Sequence, residues 1–232
     1  MKKFEITKDF FEIFPNANIA VIIAKNIDNN VKIESEKLLN KASVIAEKYI
    51  DSQIWIDNEI IKYWREAFSK FKTKKGARSS IESLLKRISN GNKLNSINPL
   101  VDIYNYISLK YGVPCGGEDI FKIKGNMLLT KADGCEQFIT YGSNISEPPY
   151  PEEIIYKDDD GAICRCLNWR ESTRTLLKNN TTNAILFIES IDDKFFDVIQ
   201  NASNEMTQLI QENLGGNVKI HILNKGNPKT FI

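Results

Sequence analysis

Residues able to do chemistry are few in this chain of 232 residues. His221 is the single histidine, so no second imidazole exists to serve as base for a Ser-His or Cys-His nucleophile. Cys115, Cys135, Cys164 and Cys166 lack zinc-type spacing, and Cys164-x-Cys166 would need two further ligands. Neither a phosphate loop nor a dinucleotide fingerprint is present. No metal and no cofactor is expected. The remaining chemistry is a water positioned by carboxylates, hydroxyls and backbone donors. Asp102 and Asn105 lie three residues apart on one helix face, flanked by apolar neighbours. Just beyond, Cys115-Gly116-Gly117-Glu118-Asp119 carries paired glycines that let backbone come close to a ligand. Both features also have ordinary readings, as satisfied structural polars and as a tight turn. Asp102, on a helix buried by pattern, is expected to accept hydrogen bonds that hold the architecture.

A second kind of chemistry lies upstream. Lys72, Lys74, Lys75, Arg78, Lys86 and Arg87 crowd a stretch whose only acid is Glu82. Such asymmetry suits a phosphate backbone, or else a solvated face. The net charge of +1 argues against a chain coated in positive charge but leaves room for a local patch.

The elements that must position these groups are legible. Asn98 is a good N-cap, Pro99 falls at the first helical position, and Gly112 with Pro114 ends the helix between them. Val101, Tyr104, Ser108 and Tyr111 recur at helical spacing. Ile33 to Ile50 predicts an earlier helix, and Asp57 the cap of another bearing Ile60, Ile61, Trp64, Ala67 and Phe68. Ser79-Ser80-Ile81-Glu82 has the form of a capping box. Ile19 to Ala24 reads as a buried strand. Phe121-Lys122-Ile123 and Met127 to Thr130 read as a hairpin across Lys124-Gly125-Asn126, with a further strand at Gln137 to Thr140. Ile154 to Tyr156 and Ala162 to Leu167 flank the turn Asp158 to Gly161, and alternation sets Cys164 and Cys166 on one face with Arg165 on the other. Asn183 to Glu189 is a strand, Asp193 to Leu214 an amphipathic helix, and Val218 to Leu223 a final strand. Helices first, hairpins next and strand–helix–strand last suggest an α+β fold.

Hydrophobic content of 42% and charged content of 26% are ordinary for a globular protein. Residues 1–232 are expected to form one domain. No apolar run reaches membrane-span length, and the cysteines form no disulfide framework, so no membrane partner and a cytoplasmic location are expected.

The central helix carries a resemblance. Asn98-Pro99, Val101-Asp102, Asn105-Tyr106, Gly112, Pro114, Asp119 and Lys122-Ile123 follow one another without gaps as in the beta subunit of phenylalanyl-tRNA synthetase. The matching segment there is the domain pair B-three and B-four, which edits mischarged tRNA. Free-standing copies of that module are similar over nearly the whole chain, at Trp64-Arg65-Glu66-Ala67-Phe68, Ser79-Ser80, Glu153-Ile154-Ile155-Tyr156 and Arg165-x-x-Asn168-Trp169-Arg170.

What the resemblance implies is a layered α+β module, two packed β-sheets flanked by helices, that binds tRNA. It would hydrolyse mischarged aminoacyl-tRNA in trans, as an aminoacyl-tRNA deacylase, and no ligase activity is expected of it. Glu171 and Thr182 are the catalytic candidates that the resemblance implies. Asn105, Gly116, Gly117, Arg165, Trp169 and Arg170 would line the substrate pocket. The basic stretch Lys72, Lys74, Lys75, Arg78, Lys86 and Arg87 would meet the tRNA backbone. One departure bears on specificity: where the synthetase pattern has a histidine two residues after its proline, this chain has Gly116. The rival reading is a non-catalytic RNA-binding or small-molecule-binding module that has kept the fold.

Overall fold

The computed structural model describes residues 2–232. Chain order opens with strand β1 (Lys3–Ile6), helix α1 (Lys8–Ile13), β2 (Asn18–Lys25), α2 (Ser35–Ala46), α3 (Glu59–Phe68), α4 (Ser80–Ser89) and α5 (Pro99–Tyr111). There follow β3 (Cys115–Asp119), β4 (Met127–Lys131), β5 (Ile154–Asp158), β6 (Gly161–Arg165), the two-residue β7 (Arg170–Glu171) and β8 (Asn183–Ser190). Helix α6 (Phe196–Leu214), β9 (Asn217–Leu223) and β10 (Lys229–Phe231) close the chain. One sheet has the order β10-β1-β4-β5-β6-β7 and the other β3-β8-β2-β9. Only the β1–β4 pair is parallel among the described residues.

The two sheets meet through aromatic side chains. Phe4 on β1 and Tyr156 on β5 pack against Phe187 on β8, with ring centroids 5.0 and 4.9 Å apart. Helix α6 lies along β2, β8 and β9, and α5 is wedged between α2, α6 and β3. One hydrophobic cluster runs continuously from Phe4 to Ile232. This is the α+β arrangement of two sheets flanked by helices that the pattern and the resemblance imply.

Helix α5 forms as its sequence dictates. The Asn98 side chain accepts from the Val101 N–H at 3.1 Å, a cap that stabilises by about 1 kcal/mol. Gly112 ends the helix at φ 69°. A Cβ there would also meet the Tyr49 ring at 2.8 Å, so glycine is required twice over. Asp102 is fully buried and accepts from Ser96 Oγ at 2.5 Å and from the Ile97 N–H at 3.0 Å. It pins the chain entering α5. Asp102→Ala should therefore destabilise by about 1–3 kcal/mol through donors left unpaired. Thermal melting checks this, and a parental melting curve would assign the residue some other role.

Several local expectations change. The glycine pair is no turn: Cys115 to Asp119 is a strand hydrogen-bonded to β8. Residues Ile120–Lys122 form a 3-10 turn because the Asp119 side chain accepts from the Phe121 N–H, so no hairpin forms there. Strand β4 pairs instead with β1 and β5. Gln137 to Thr140 makes one bridge, Thr140 to Ser172, rather than a strand. The helix cap expected at Asp57 is Asn58. Only half of the capping box forms. The Ser79 hydroxyl accepts from the Glu82 N–H, but the buried Glu82 carboxylate turns to Arg65, at 2.7 Å, and to the Trp55 indole. A guanidinium neutralises a buried carboxylate better than a backbone N–H can. Cys166 and Leu167 take positive φ of 47° and 62°, which breaks the strand alternation after Arg165.

Candidate functional site

A cavity of about 340 Å³ lies where the two sheets meet, near the lower limit of small-molecule sites, roughly 300 Å³. Antiparallel register builds one wall. Gly116 stands opposite Phe187 and Glu118 opposite Ile185, and alternation then puts Gly116, Glu118, Phe187 and Glu189 on one face. Tyr156 on β5 and Cys164 on β6 face them from the other sheet. Ser80, Ser83 and Arg87 of α4, with Tyr104 and Asn105 of α5, form the roof. The last wall is the turn carrying Asn168, Trp169 and Glu171.

That turn is held from behind. Glu153, fully buried, accepts from Arg165 Nε at 3.0 Å and Nη2 at 2.8 Å, and from the Cys166 N–H at 3.0 Å. The Leu167 N–H donates to Ile154 O at 2.7 Å. Asn168 then joins three elements: its Oδ1 accepts from the Ser80 N–H of α4 at 3.0 Å, and its amide donates to Glu189 of β8.

Three carboxyl groups share the cavity. Glu118 is buried, and its Oε2 has no hydrogen-bond partner. Burial, then the nearby Glu171 carboxylate, pushes the Glu118 carboxyl well above its ordinary range. Burial also raises Glu171, and the Gly117 N–H draws it part of the way back. Glu189 is pushed up to about 7 by burial, against the stabilising bonds from Tyr156 and Asn168. Gly116 takes no left-handed backbone conformation. A Cβ there would meet Glu171 Oε1 at 3.4 Å and nothing else within 4 Å, so its missing side chain leaves room beside that carboxylate.

The structure brings together Asn105, Gly116, Gly117, Trp169 and Glu171 among the expected pocket residues. Arg165 is not with them. Alternation sends it to the opposite face of β6 from Cys164, where Glu153 and the Glu147 carbonyl occupy its guanidinium. Arg170 is exposed and stacks over the Trp169 ring at 4.7 Å, at the rim. Thr182 is exposed just before β8, roughly 20 Å along the strand from Glu189 at about 3.3 Å per residue. Its neighbour Thr181 is buried and donates to Asp119 at 2.8 Å.

The basic stretch divides. Lys74 pairs with Glu147, Lys72 sits over the Tyr150 ring and Lys86 over Trp55. Lys75 and Arg78 are exposed, and Arg87 reaches the cavity. Sequence reasoning missed Glu118, Asn168 and Glu189 as pocket residues. Glu189 had a signal, an acid closing the apolar strand Ala184 to Ile188 in register with Phe187.

An α+β module whose two sheets enclose an acid-lined cavity under a helical roof is the class this geometry defines. The chain belongs to the B3/4 domain family, whose model matches residues 63–215. The phenylalanine–tRNA ligase beta subunit of Leifsonia xyli subsp. xyli is 31% identical over 70 residues, which cover 30% of this chain and 8% of that subunit. An N-terminal fragment of the phenylalanyl-tRNA synthetase beta subunit from Pyrococcus horikoshii shares the fold, with a TM-score of 0.50 and 12% identity over 93% of this chain. The chain spans 49% of that fragment. No helix among the described residues is long and apolar enough to cross a membrane.

Proposed function

We propose that this B3/4 chain binds tRNA and hydrolyses the ester of a wrongly attached amino acid in trans. The observation that carries the reading is Glu171, a carboxyl of raised proton affinity, set beside the bare backbone of Gly116 inside the cavity. An aminoacyl ester is already activated, so the site needs to orient water and polarise a carbonyl more than it needs a strong base. Glu171 takes the proton of the attacking water, and Asn105, which lines the same cavity, donates its amide N–H to the carbonyl oxygen. As the water oxygen bonds to the carbonyl carbon, the ester C–O bond breaks. Its electron pair leaves on the ribose oxygen, which takes up the proton that Glu171 had accepted and so restores the carboxylate.

The test is a panel of mischarged tRNAs. Wild-type protein should deacylate at least one, with a rate that rises with pH over a range displaced above the ordinary carboxylate value of about 4.3. Glu171→Gln should lower that rate about 100- to 10,000-fold while tRNA binding persists. Binding with no deacylation above blank would instead support the non-catalytic module.

The RNA side is probed separately. Because Lys74 is engaged by Glu147, the exposed Lys75 and Arg78 are the better residues to reverse. The Lys75→Glu/Arg78→Glu protein should bind unrelated tRNAs more weakly. Its log–log salt slope should be shallower by roughly 0.7–0.9 for each phosphate no longer neutralised. An unchanged slope would make this segment plain solvated surface.

A further inference from the structure

We propose that Glu118, beside the Glu171 carboxyl, forms an ammonium-binding subsite that selects an amino acid bearing a positively charged side chain. The inference rests on the cavity being an aminoacyl-ester site, and adds the class of amino acid it accepts.

The carboxyl groups of the cavity are not equivalent. Both oxygens of Glu189 are occupied, by Tyr156 and by Asn168. Glu118 differs: its side chain is 3% exposed, it lines the cavity, and its buried Oε2 has no hydrogen-bond partner, with only the neutral Thr175 hydroxyl beside the carboxyl. A buried carboxylate oxygen left without a donor is costly, and a donor brought by a ligand would remove that cost. Glu171 lies close enough to raise the proton affinity of Glu118.

The charges around this pair leave it uncompensated. Arg174 stands behind Glu118, but Asp158 holds it at 2.6 and 2.9 Å and the Lys122 carbonyl at 3.1 Å. Arg87 lines the cavity from α4, where it is exposed. Tyr104, from α5, stays neutral because burial and the carboxylates raise its hydroxyl. A neutral side chain would fill the space yet leave Glu118 unpaired. An ammonium on a three- or four-carbon stem supplies several donors and a positive charge together, while the aromatic walls at Tyr104, Tyr156 and Phe187 pack its methylenes.

Amino-acid amides, which cannot lose an ester, are the probes: ornithinamide, lysinamide and norleucinamide, titrated calorimetrically at pH 6 and pH 8. The first two carry a side-chain ammonium and the third only the α-ammonium. Wild-type protein should bind ornithinamide or lysinamide at least tenfold more tightly than norleucinamide at pH 8. The margin should shrink at pH 6, because the carboxyl of Glu118 is raised well above its ordinary range and protonation removes the charge that the ammonium meets. Glu118→Gln should abolish the preference and leave norleucinamide affinity within twofold, with Glu118→Met as a second variant should the amide fold poorly. Equal affinity of all three amides, or a preference that survives in a folded Glu118 variant, overturns this inference alone. No binding of any amide overturns it together with the aminoacyl reading of the cavity. Tight norleucinamide binding that is lost in Glu118→Gln would give the subsite to the α-ammonium, and would also overturn the side-chain assignment.

Discussion

Arg165→Ala should lower the free energy of unfolding by about 3–5 kcal/mol, the cost of stranding a buried carboxylate. Arg165 and Glu153 have side chains 2% and 0% exposed and are joined at 3.0 and 2.8 Å. With the guanidinium gone, the buried Glu153 carboxylate retains only the Cys166 and Tyr150 N–H groups. Urea unfolding with an unchanged m-value is the measurement. A loss below about 1 kcal/mol would mean that water reaches Glu153 and the pair behaves as a surface bridge. The double variant Arg165→Met/Glu153→Leu should recover much of the loss, since a buried ion pair is often no more stabilising than apolar residues of like volume.

Gly116→His should reshape substrate choice while the fold survives. The position lies in β3 and takes no left-handed conformation, and a Cβ there meets only Glu171 Oε1, at 3.4 Å. Strain is therefore no obstacle, and melting temperature should stay close to the parent's. The imidazole would occupy space beside Glu171 and add a hydrogen-bonding group. Deacylation of a bulky aminoacyl ester should fall, and preference should move toward side chains with a hydroxyl the ring can reach. A site built to hydrogen-bond a hydroxyl can reject the analogue lacking it by about 10,000-fold or more. Gly116→Ala separates loss of volume from gain of a donor. A well-folded Gly116→His protein with the parental preference across the tRNA panel would place this residue away from the substrate.

Helix α5 was legible in the sequence because each of its signals is local: Asn98, Pro99 and Gly112 act on their own backbone. The strands β2, β8 and β9 and the turn between β5 and β6 were legible for the same reason, through short-range periodicity and a glycine turn. The pair Gly116-Gly117 was misleading. Glycine marks turns by default, and only pairing with β8, some seventy residues away, makes a strand of it. Arg165 was misassigned because a motif shows that a residue matters without showing which face of its strand it takes. Its carboxylate partner at Glu153 is a tertiary fact. Glu118 and Glu189 converge only when β3 and β8 lie side by side, so neither could be seen singly. Asn105 and Glu171 both line the cavity; the first lies within the continuous motif, and the second was suggested only by a turn-borne glutamate in the same general region of the resembling domain.

Cys166 and Leu167 hold a conformation that side-chain-bearing residues rarely adopt, at about 1–3 kcal/mol each. These two residues begin the turn that carries Asn168, Trp169 and Glu171. That wall is therefore a spring held in compression, with Glu153, Ile154 O and Ser80 N–H as the catches. Warming should release the spring before the sheets part, because two adjacent residues in a strained conformation gain by letting go. Ligand binding would then fade several degrees below the loss of circular dichroism, and the protein would pass through a state that is folded but blind to its substrate.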